Sequence, residues 1–184
     1  MASVFGDLRG DFSSFSEKFF FDTNIIYYIF GPFSDLGSVR DRSYSEFYKK
    51  CLENSSEIYI NNSVISEFSN LYIKENYNLC SENHPIFKEF RKTEDYKQII
   101  KNLSDDWYHI LQDCNVCSTE VDSKRVCSII DEMPERMMDF NDELIAHDCL
   151  SNDFILVTHD FDFSNYPDLS LVTGNSRLVS ACQD

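Results

Sequence analysis

The sequence is poor in cations: it has 16 Lys and Arg residues against 32 Asp and Glu, which gives a formal net charge of −16 over 184 residues. A protein that coats duplex nucleic acid needs clustered cations to neutralise phosphates, so this balance argues against that class. The charge balance does not exclude an enzyme that binds phosphates through metal ions. Glycine and proline are also scarce, with 5 and 4 residues, which argues against collagen-like and linker-rich designs.

Long hydrophobic runs are missing as well. The longest apolar stretch covers residues 25–30 and is far too short to span a bilayer, so no membrane association is expected. The first residues show no basic segment followed by an apolar run, so no secretory signal is expected and the cytoplasm is the predicted compartment. The seven cysteines are then expected to be reduced thiols.

One group of cysteines resembles a metal site. Cys114, Cys117 and Cys127, with His109 upstream, would supply four candidate zinc ligands. The spacing is loose and a second CxxC pair is missing, which favours ordinary buried thiols. Zinc is therefore not the expected metal.

Apolar and aromatic residues are plentiful, at 42% and 15% of the chain, so a packed core is expected. Short apolar runs that predict buried strands alternate with helical patterns, which is typical of an α/β fold with a parallel sheet. We expect one domain over residues 1–184, a three-layer sandwich around a central, mainly parallel sheet of about five strands. The predicted strands are 19–21, 57–60, 154–158 and 169–173, with 114–117 as a strand or a loop.

Helical periodicity and breaker residues define the other elements. Residues 1–18 are polar with scattered phenylalanines and predict a loosely packed arm. Residues 75–137 predict a helical insertion or an enlarged helical region. The predicted helices are 25–30, ended by Gly31-Pro32, then 43–54, 64–74, 87–103, 105–111, 123–133, ended by Pro134, and 141–150.

Acidic residues follow the ends of predicted strands. Asp22 comes directly after the first strand, and Asp160 follows the strand that ends at Thr158. Ligands of open α/β sheets bind beyond the carboxyl ends of strands, and Glu67 and Asp142 lie in the first turns of helices that can face the same edge. Taken singly, each acid has a structural explanation as a turn residue or as a partner of a helix dipole.

Together these acids are harder to explain structurally. They reach one edge of the sheet from four separate elements, and Asp139 and Asp162 are near neighbours in sequence. Packed carboxylates repel one another and are costly to desolvate, and a hard divalent cation relieves that cost. Ligands that are all oxygen suit Mg²⁺ or Mn²⁺, so we expect one or two such ions.

Four motifs occur in order along the chain: FDTNI at 21–25, SVISEF at 63–68, DFNDELIA at 139–146 and LVTHDFDF at 156–163. In this order they resemble the PIN-domain nucleases, the family that includes the VapC-type toxins of bacterial toxin–antitoxin pairs. The resemblance implies that Asp22, Glu67, Asp142 and Asp160 are catalytic and that these four and Asp162 bind the metal. The residues expected to support the ligands are Thr23, Asn24, Asp139, Asn141 and Thr158.

The resemblance implies a metal-dependent endoribonuclease that hydrolyses phosphodiester bonds in single-stranded RNA. A toxin with an antitoxin or another basic protein as partner, and a homodimer, are options that it leaves open. The alternative is a non-catalytic PIN-like module that binds nucleic acid or protein in RNA metabolism. The retained acids argue against that module, and Asp22-Thr23-Asn24 lacks the Asp-x-Asp that a phosphoaspartate enzyme needs. The separation from Glu67 to Asp142 is longer than in the toxin-like members.

Cations that would contact RNA are concentrated in residues 88–101. We predict Lys88, Arg91 and Lys92 as substrate-binding residues, because aromatic residues at 87, 90 and 96 are interleaved with them. The alternative is a solvated helix face whose aromatic side chains pack inward. His147 and His159 are weaker candidates for substrate contact, since each is explained equally well as a structural histidine.

Overall fold

The computed structural model describes residues 2–9, 15, 17–32, 39–118, 121–166 and 168–182. In this part of the chain one sheet contains six strands, and every pair of neighbouring strands is parallel. The strands are β1 (Ser3–Asp7), β2 (Lys18–Phe21), β3 (Glu57–Ile60), β4 (Cys114–Val116), β5 (Ile155–Val157) and β6 (Ser170–Thr173). Their order across the sheet is β1-β6-β5-β2-β3-β4.

Helices separate the strands along the chain. None of the described helices combines the length and the apolar character needed to cross a membrane. The helices are α1 (Thr23–Phe30), α2 (Val39–Glu53), α3 (Asn62–Cys80), α4 (Phe87–Phe90), α5 (Glu94–Asp113), α6 (Ser123–Arg136), α7 (Phe140–Asn152) and α8 (Ser176–Ala181), with a 3₁₀ turn at Asp162–Asn165.

The centre of the sheet is β2, which is covered on both faces. Phe19, Phe20 and Phe21 are all completely buried, although consecutive side chains of a strand point to opposite faces. Helices must therefore pack on both sides of the sheet, and this confirms the predicted three-layer α/β fold with a parallel sheet.

The N-terminal segment differs from its prediction as a loose arm. Residues Ser3–Asp7 form β1, an edge strand that pairs with β6, and this raises the strand number from about five to six. Backbone hydrogen bonds attach it, for example from Ser3 N to Leu169 O at 2.8 Å. The strand was hard to predict because Gly6 is its only buried residue, so almost no apolar pattern marks it.

Several helix boundaries in the middle of the chain also differ from their predictions. The predicted break at Ser104, between helices 87–103 and 105–111, falls instead at residues 91–93. Thr93 caps α5, and α5 continues through Ser104 to Asp113. Helix α6 passes through Pro134 and ends at Arg136, so this proline does not terminate it. Pro134 has no N–H to donate to the carbonyl four residues earlier, so α6 lacks that hydrogen bond and ends two residues later. The role of residues 75–137 as an insertion stays a prediction.

The strand order reverses between β2 and β5. From β2 the chain builds outward through β3 to β4, then crosses back to place β5 on the other side of β2. In open α/β sheets the crevice at such a reversal is where ligands bind. The two segments that leave this crevice begin at Asp22 and Thr158, and the amide of Asp22 donates to Val157 O at 3.1 Å.

Candidate active site

Asp22 lies at the carboxyl end of β2 and caps α1. Its buried carboxylate accepts hydrogen bonds from the amide of Thr23 at 2.6 Å, the hydroxyl of Thr158 at 2.7 Å and the side-chain amide of Asn24. Burial raises the pKa of Asp22 to about 7, and the charges of Asp160 and Glu67 add to this rise, although the bonds from Thr158 and Thr23 oppose it. The cost of ionising this group is therefore only partly offset by its donors.

Asp142 lies in the first turn of α7. Asp139 caps this helix, since its carboxylate accepts from the amides of Asn141 at 2.8 Å and Asp142 at 3.0 Å. Burial raises the pKa of Asp142 to about 8, and the charges of Asp139, Asp22, Asp160 and Glu67 raise it further. Asp142 therefore interacts electrostatically with acids from three other parts of the fold. The side chain of Asn141 is exposed.

Glu67 is an exposed residue of α3 that is tied to the end of β2. The hydroxyl of Thr23 donates to Glu67 Oε2 at 2.9 Å. The start of α3 is fixed by Asn61, whose side chain accepts from Val64 N at 3.1 Å and donates to the buried Asp148 at 2.8 Å. The helix thus brings Glu67 to the same edge as Asp22.

Asp160 and Asp162 belong to the turn after β5. The hydroxyl of Thr158 accepts from the amide of Asp160 at 2.9 Å, and the amide of Asp162 donates to Asp160 Oδ1 at 3.0 Å. Partial burial raises the pKa of Asp162, and the charges of Asp160 and Asp139 add to that rise. We call these mutually interacting residues the acidic cluster: Asp22, Glu67, Asp139, Asp142, Asp160 and Asp162.

The acidic cluster has the donor chemistry of a hard-cation site. All its ligand atoms are carboxylate oxygens, and mutual repulsion already raises the pKa of several members. In the described part of the chain, no three His, Cys, Asp or Glu residues form a ready-made metal-binding group. Mg²⁺ usually keeps several waters and takes only one or two carboxylates directly, so it does not require three such side chains in one group.

The cysteines considered for zinc have a different environment. Burial raises the pKa of Cys114 to about 12 and that of Cys117 to about 11, and nearby Asp113 and Asp148 respectively add to these shifts. Burial thus disfavours the thiolate form of both cysteines. Cys127 is exposed on α6.

Comparison with known proteins identifies the family. The family model described as "PIN domain" matches residues 19–169 of the chain. The chain belongs to the PIN-domain family. Because this is a family of nucleases, membership supports a nuclease activity for the protein. The matched range contains all members of the acidic cluster.

Two solved structures resemble this PIN domain. VapBC2 from Rickettsia felis, bound to a DNA fragment from its promoter, is 18% identical, with a TM-score of 0.56 over 85% of this chain and 98% of that chain. PAE2754 from Pyrobaculum aerophilum is 15% identical, with a TM-score of 0.49 over 94% of this chain and 100% of that chain. No curated protein matches the chain. The first likeness confirms the fold.

Tyr44 is a residue of the PIN domain that the sequence did not single out for the site. It is completely buried in α2, where the apolar pattern had placed it, but its hydroxyl donates to Thr158 O at 3.1 Å and accepts from Gly174 N at 2.9 Å. The same hydroxyl is 2.9 Å from His159 Nδ1. Tyr44 thus joins the ends of β5 and β6 beside Asp160, and His159 is a partner of this buried network.

Replacing Tyr44 by Phe is expected to destabilise the PIN domain by about 1–3 kcal/mol, because Gly174 N–H loses its acceptor in a partly buried position and Thr158 O, at a buried residue, loses a donor. Urea unfolding measures this change. Tyr108→Phe is the matched control, since Tyr108 is 70% exposed and should change the free energy of unfolding by less than about 0.5 kcal/mol. Equal stability of the two variants would contradict the role of Tyr44.

The predicted substrate-binding cations lie on α4 and the turn that follows it. Arg91 lies over the ring of Tyr96 at 5.7 Å, Lys92 pairs with Glu89 at 2.8 Å, and Lys88 is exposed. Among the described residues, no hydrogen bond or ion pair joins these three to the acidic cluster. His147, the other candidate, is half-buried at 3.8 Å from Asp148 and contacts Ser151 at 3.4 Å, and neither of these partners belongs to the acidic cluster.

Two cations that the sequence did not indicate line a cavity together with His159, the residue before Asp160 in the chain. A cavity of about 370 Å³ at the carboxyl edge of the sheet is lined by Arg9, Tyr44, His159 and Arg177. Arg9 pairs with Asp7 at 2.6 Å, and Arg177 lies over the ring of Phe161 at 4.7 Å. Arg9 belongs to the segment predicted to be a loose arm, so its position depends on the unforeseen strand β1.

Proposed function

We propose that this PIN domain is a metal-dependent endoribonuclease that hydrolyses phosphodiester bonds in single-stranded RNA. The acidic cluster at the reversal of strand order is the observation that carries the proposal. An arrangement that raises the pKa of Asp22 and Asp142 to about 7 and 8 is costly in the folded protein, and a bound divalent cation offsets that cost. A domain that only binds a partner does not need such a costly cluster of carboxylates.

The residues of the cluster divide into ligands and supports. Asp22 and Asp142 would be the central ligands of Mg²⁺ or Mn²⁺, with Asp160, Glu67 and Asp162 completing the site. Thr158 and Asn24 fix the rotamer of Asp22 through their hydrogen bonds, and Thr23 fixes Glu67. When bound, the metal supplies an activated water and neutralises charge on the phosphate. Glu67 Oε1, the carboxylate oxygen that Thr23 does not hold, would accept the proton of the attacking water.

The surroundings of the cluster support a single-stranded, phosphate-containing substrate. Arg177 lies over the ring of Phe161, the residue after Asp160, and lines a cavity at the carboxyl edge of the sheet, where it would offer a cation to a phosphate that flanks the cleaved bond. The net charge of −16 is unfavourable for wrapping a duplex, whose charge density is higher. Recognition of single strands relies more on stacking and shape, which an acidic protein can supply.

The biological setting of this nuclease is also a proposal. We propose a cytoplasmic toxin with an antitoxin partner, and a homodimer, as its setting; the fold likeness to VapBC2 is the observation behind the toxin–antitoxin part of this proposal. An antitoxin that inserts basic side chains would complement the acidic cluster. The second candidate function is a non-catalytic binding module, and the lack of a ready-made group of three metal ligands among the described residues is the observation in its favour.

Cleavage of labelled single-stranded RNA and of DNA with the same sequence tests the proposed function. We expect RNA to be cut in Mg²⁺ or Mn²⁺, no cutting in EDTA, and much slower cutting of DNA. The Asp22→Asn variant, purified in the same way, should cut neither, which excludes a contaminating nuclease. Activity that persists in EDTA or in this variant would overturn the proposal, and a failure to cut either strand would favour the binding module.

A further inference from the structure

A second cavity lies in the helical region of the chain that begins with α3. It has a volume of about 480 Å³ and lies between α3, α4 and α5. Its chemistry combines ring faces with positive charge. We call it the aromatic pocket, and its principal lining residues are Asn70, Lys74, Tyr77, Phe87, Arg91 and Tyr96.

The walls of the aromatic pocket are held by ring–ring contacts. The ring of Phe87 meets Tyr77 edge to face at 4.9 Å and Tyr96 at 6.4 Å. Beneath them, the completely buried Phe90 packs against Tyr77 at 5.1 Å and Tyr96 at 5.7 Å. Phe87 nevertheless remains 40% exposed. The rings therefore form a fixed platform with apolar surface still accessible to a planar ligand.

The cations of the aromatic pocket differ from their neighbours in sequence. Lys92 and Lys97 are paired with Glu89 and Glu94 at 2.8 Å and 3.2 Å. Lys74 and Arg91 form no ion pair with any residue that the structure describes. The chain has twice as many acidic as basic residues, so most anions would be repelled by its net charge. Two cations that form no such ion pair would attract an anionic ligand to this pocket.

Helix α3 connects the aromatic pocket to the acidic cluster. Glu67, Asn70, Lys74 and Tyr77 are spaced by three and four residues, so they lie along one face of this helix. A rise of about 1.5 Å per residue puts Lys74 about 10 Å and Tyr77 about 15 Å from Glu67 along the helix axis. An RNA strand that passes the acids and follows this face reaches the aromatic pocket within a few nucleotides.

We propose that the aromatic pocket binds a nucleobase of the RNA strand, with Lys74 and Arg91 contacting the phosphates on either side of it. The proposal rests on the proposed function, because it takes single-stranded RNA as the ligand. Bases stack on aromatic side chains whatever their sequence, while cations track the backbone, and this pocket offers both. Base stacking would let an acidic protein hold RNA with few cations.

Charge reversal with a matched control tests the aromatic pocket. The protein carries Asp22→Asn and is kept in EDTA, so that a fluorescein-labelled single-stranded RNA is bound without being cut. We expect Arg91→Glu to weaken binding about tenfold, measured by fluorescence anisotropy. Lys101→Glu makes the same charge change at an exposed position of α5 outside the pocket and should weaken binding less than about twofold. Both sites are exposed, so neither variant should fail to fold.

An RNA in which the bases are removed but the phosphates remain separates stacking from charge. Phe87→Ala should weaken binding of the intact RNA about tenfold and leave binding of the abasic RNA unchanged. Equal effects of Arg91→Glu and Lys101→Glu, or no effect of Phe87→Ala on intact RNA, would overturn the pocket. Unchanged RNA binding in Arg91→Glu would also overturn the proposal and would favour a protein as the ligand of the aromatic pocket.

These outcomes are separable from the test of the proposed function. An RNA that is bound with dependence on Arg91 and Phe87 but is never cut supports the pocket and contradicts the nuclease. An RNA that is cut by the wild type but bound equally by all the variants supports the nuclease and overturns the pocket.

Discussion

Asp142→Asn is expected to lower the rate of RNA cleavage at least about 1,000-fold while making the metal-free protein more stable at pH 8. The activity falls because the cluster loses a central ligand, and such electrostatic contributions to catalysis amount to several kcal/mol. The stability rises because the substitution removes a partly buried charge that Asp139, Asp22, Asp160 and Glu67 repel. We expect a gain of about 1–2 kcal/mol after allowance for the part of Asp142 that is exposed to solvent.

The pH dependence of this stability difference has a definite sign. The pKa of Asp142 is about 8 in the folded protein and about 4 in the unfolded chain, so folding favours the protonated form. Its contribution to stability is fully present below about pH 4 and is lost as the pH rises through about 8. Asn is neutral throughout, so the advantage of the variant should be small at pH 4 and largest above pH 8.

Thermal unfolding in EDTA at several pH values measures the effect, with cleavage assayed separately in Mg²⁺. Asp131→Asn is the control, since Asp131 is an exposed acid of α6 outside the cluster and should change neither quantity. A variant of Asp142 that keeps its activity, or one that is less stable than the wild type at pH 8, would contradict the assignment.

Arg136→Met is expected to destabilise the protein by about 3–5 kcal/mol, which corresponds to a fall in melting temperature on the order of 10 °C. Arg136 Nη1 lies 2.7 Å from Oε2 of Glu143, a residue that is completely buried at the start of α7. Among the described residues Glu143 Oε1 has no hydrogen-bond partner, so the guanidinium is the main compensation for this charge. Arg136 also pairs with Glu132 at 2.7 Å and lies over the ring of Tyr166 at 4.4 Å.

The double variant Arg136→Met/Glu143→Leu separates the ion pair from the packing of the arginine stem. Removing both charges should recover most of the loss, because no buried charge is then left alone. Lys97→Met breaks an exposed ion pair with Glu94 and should cost less than about 1 kcal/mol, as measured by urea unfolding. Two outcomes would show that the ion pair between Arg136 and Glu143 does not stabilise the fold. One is a loss of stability in Arg136→Met as small as that in Lys97→Met, and the other is a double variant no more stable than Arg136→Met.

The parts of the fold that the sequence predicted are those with strong local signals. The strands β2, β3, β5 and β6 are short, mostly apolar runs, because most of their residues are buried between the two helical layers. The acids Asp22 and Asp160 were singled out because they follow such runs within three residues, and Glu67 and Asp142 because they lie in the first turns of helices that can face the same edge. The resemblance in the four motifs then implied a catalytic role for all four, which stays a prediction.

The parts that were missed depend on partners distant in sequence. The strand β1 has one buried residue and exists because β6 offers it an edge. The hydroxyl of Tyr44 meets Thr158, 114 residues away, which an apolar helical pattern does not reveal. Glu143 is an acid that is nevertheless completely buried, because Arg136 reaches it from the preceding helix, and the sequence pattern does not reveal this contact.

The reversal of strand order also determines when, during synthesis, the site can exist. Asp22 and Thr158 share a hydrogen bond but are 136 residues apart. Of the two strands that pair with β2, β3 is synthesised early, whereas β5 is synthesised only after most of the chain. A chain growing on the ribosome therefore holds Asp22 and Glu67 long before it holds Asp142 and Asp160. If the protein cuts RNA as proposed, the nascent chain is harmless to the message that encodes it until translation has passed the last of these acids.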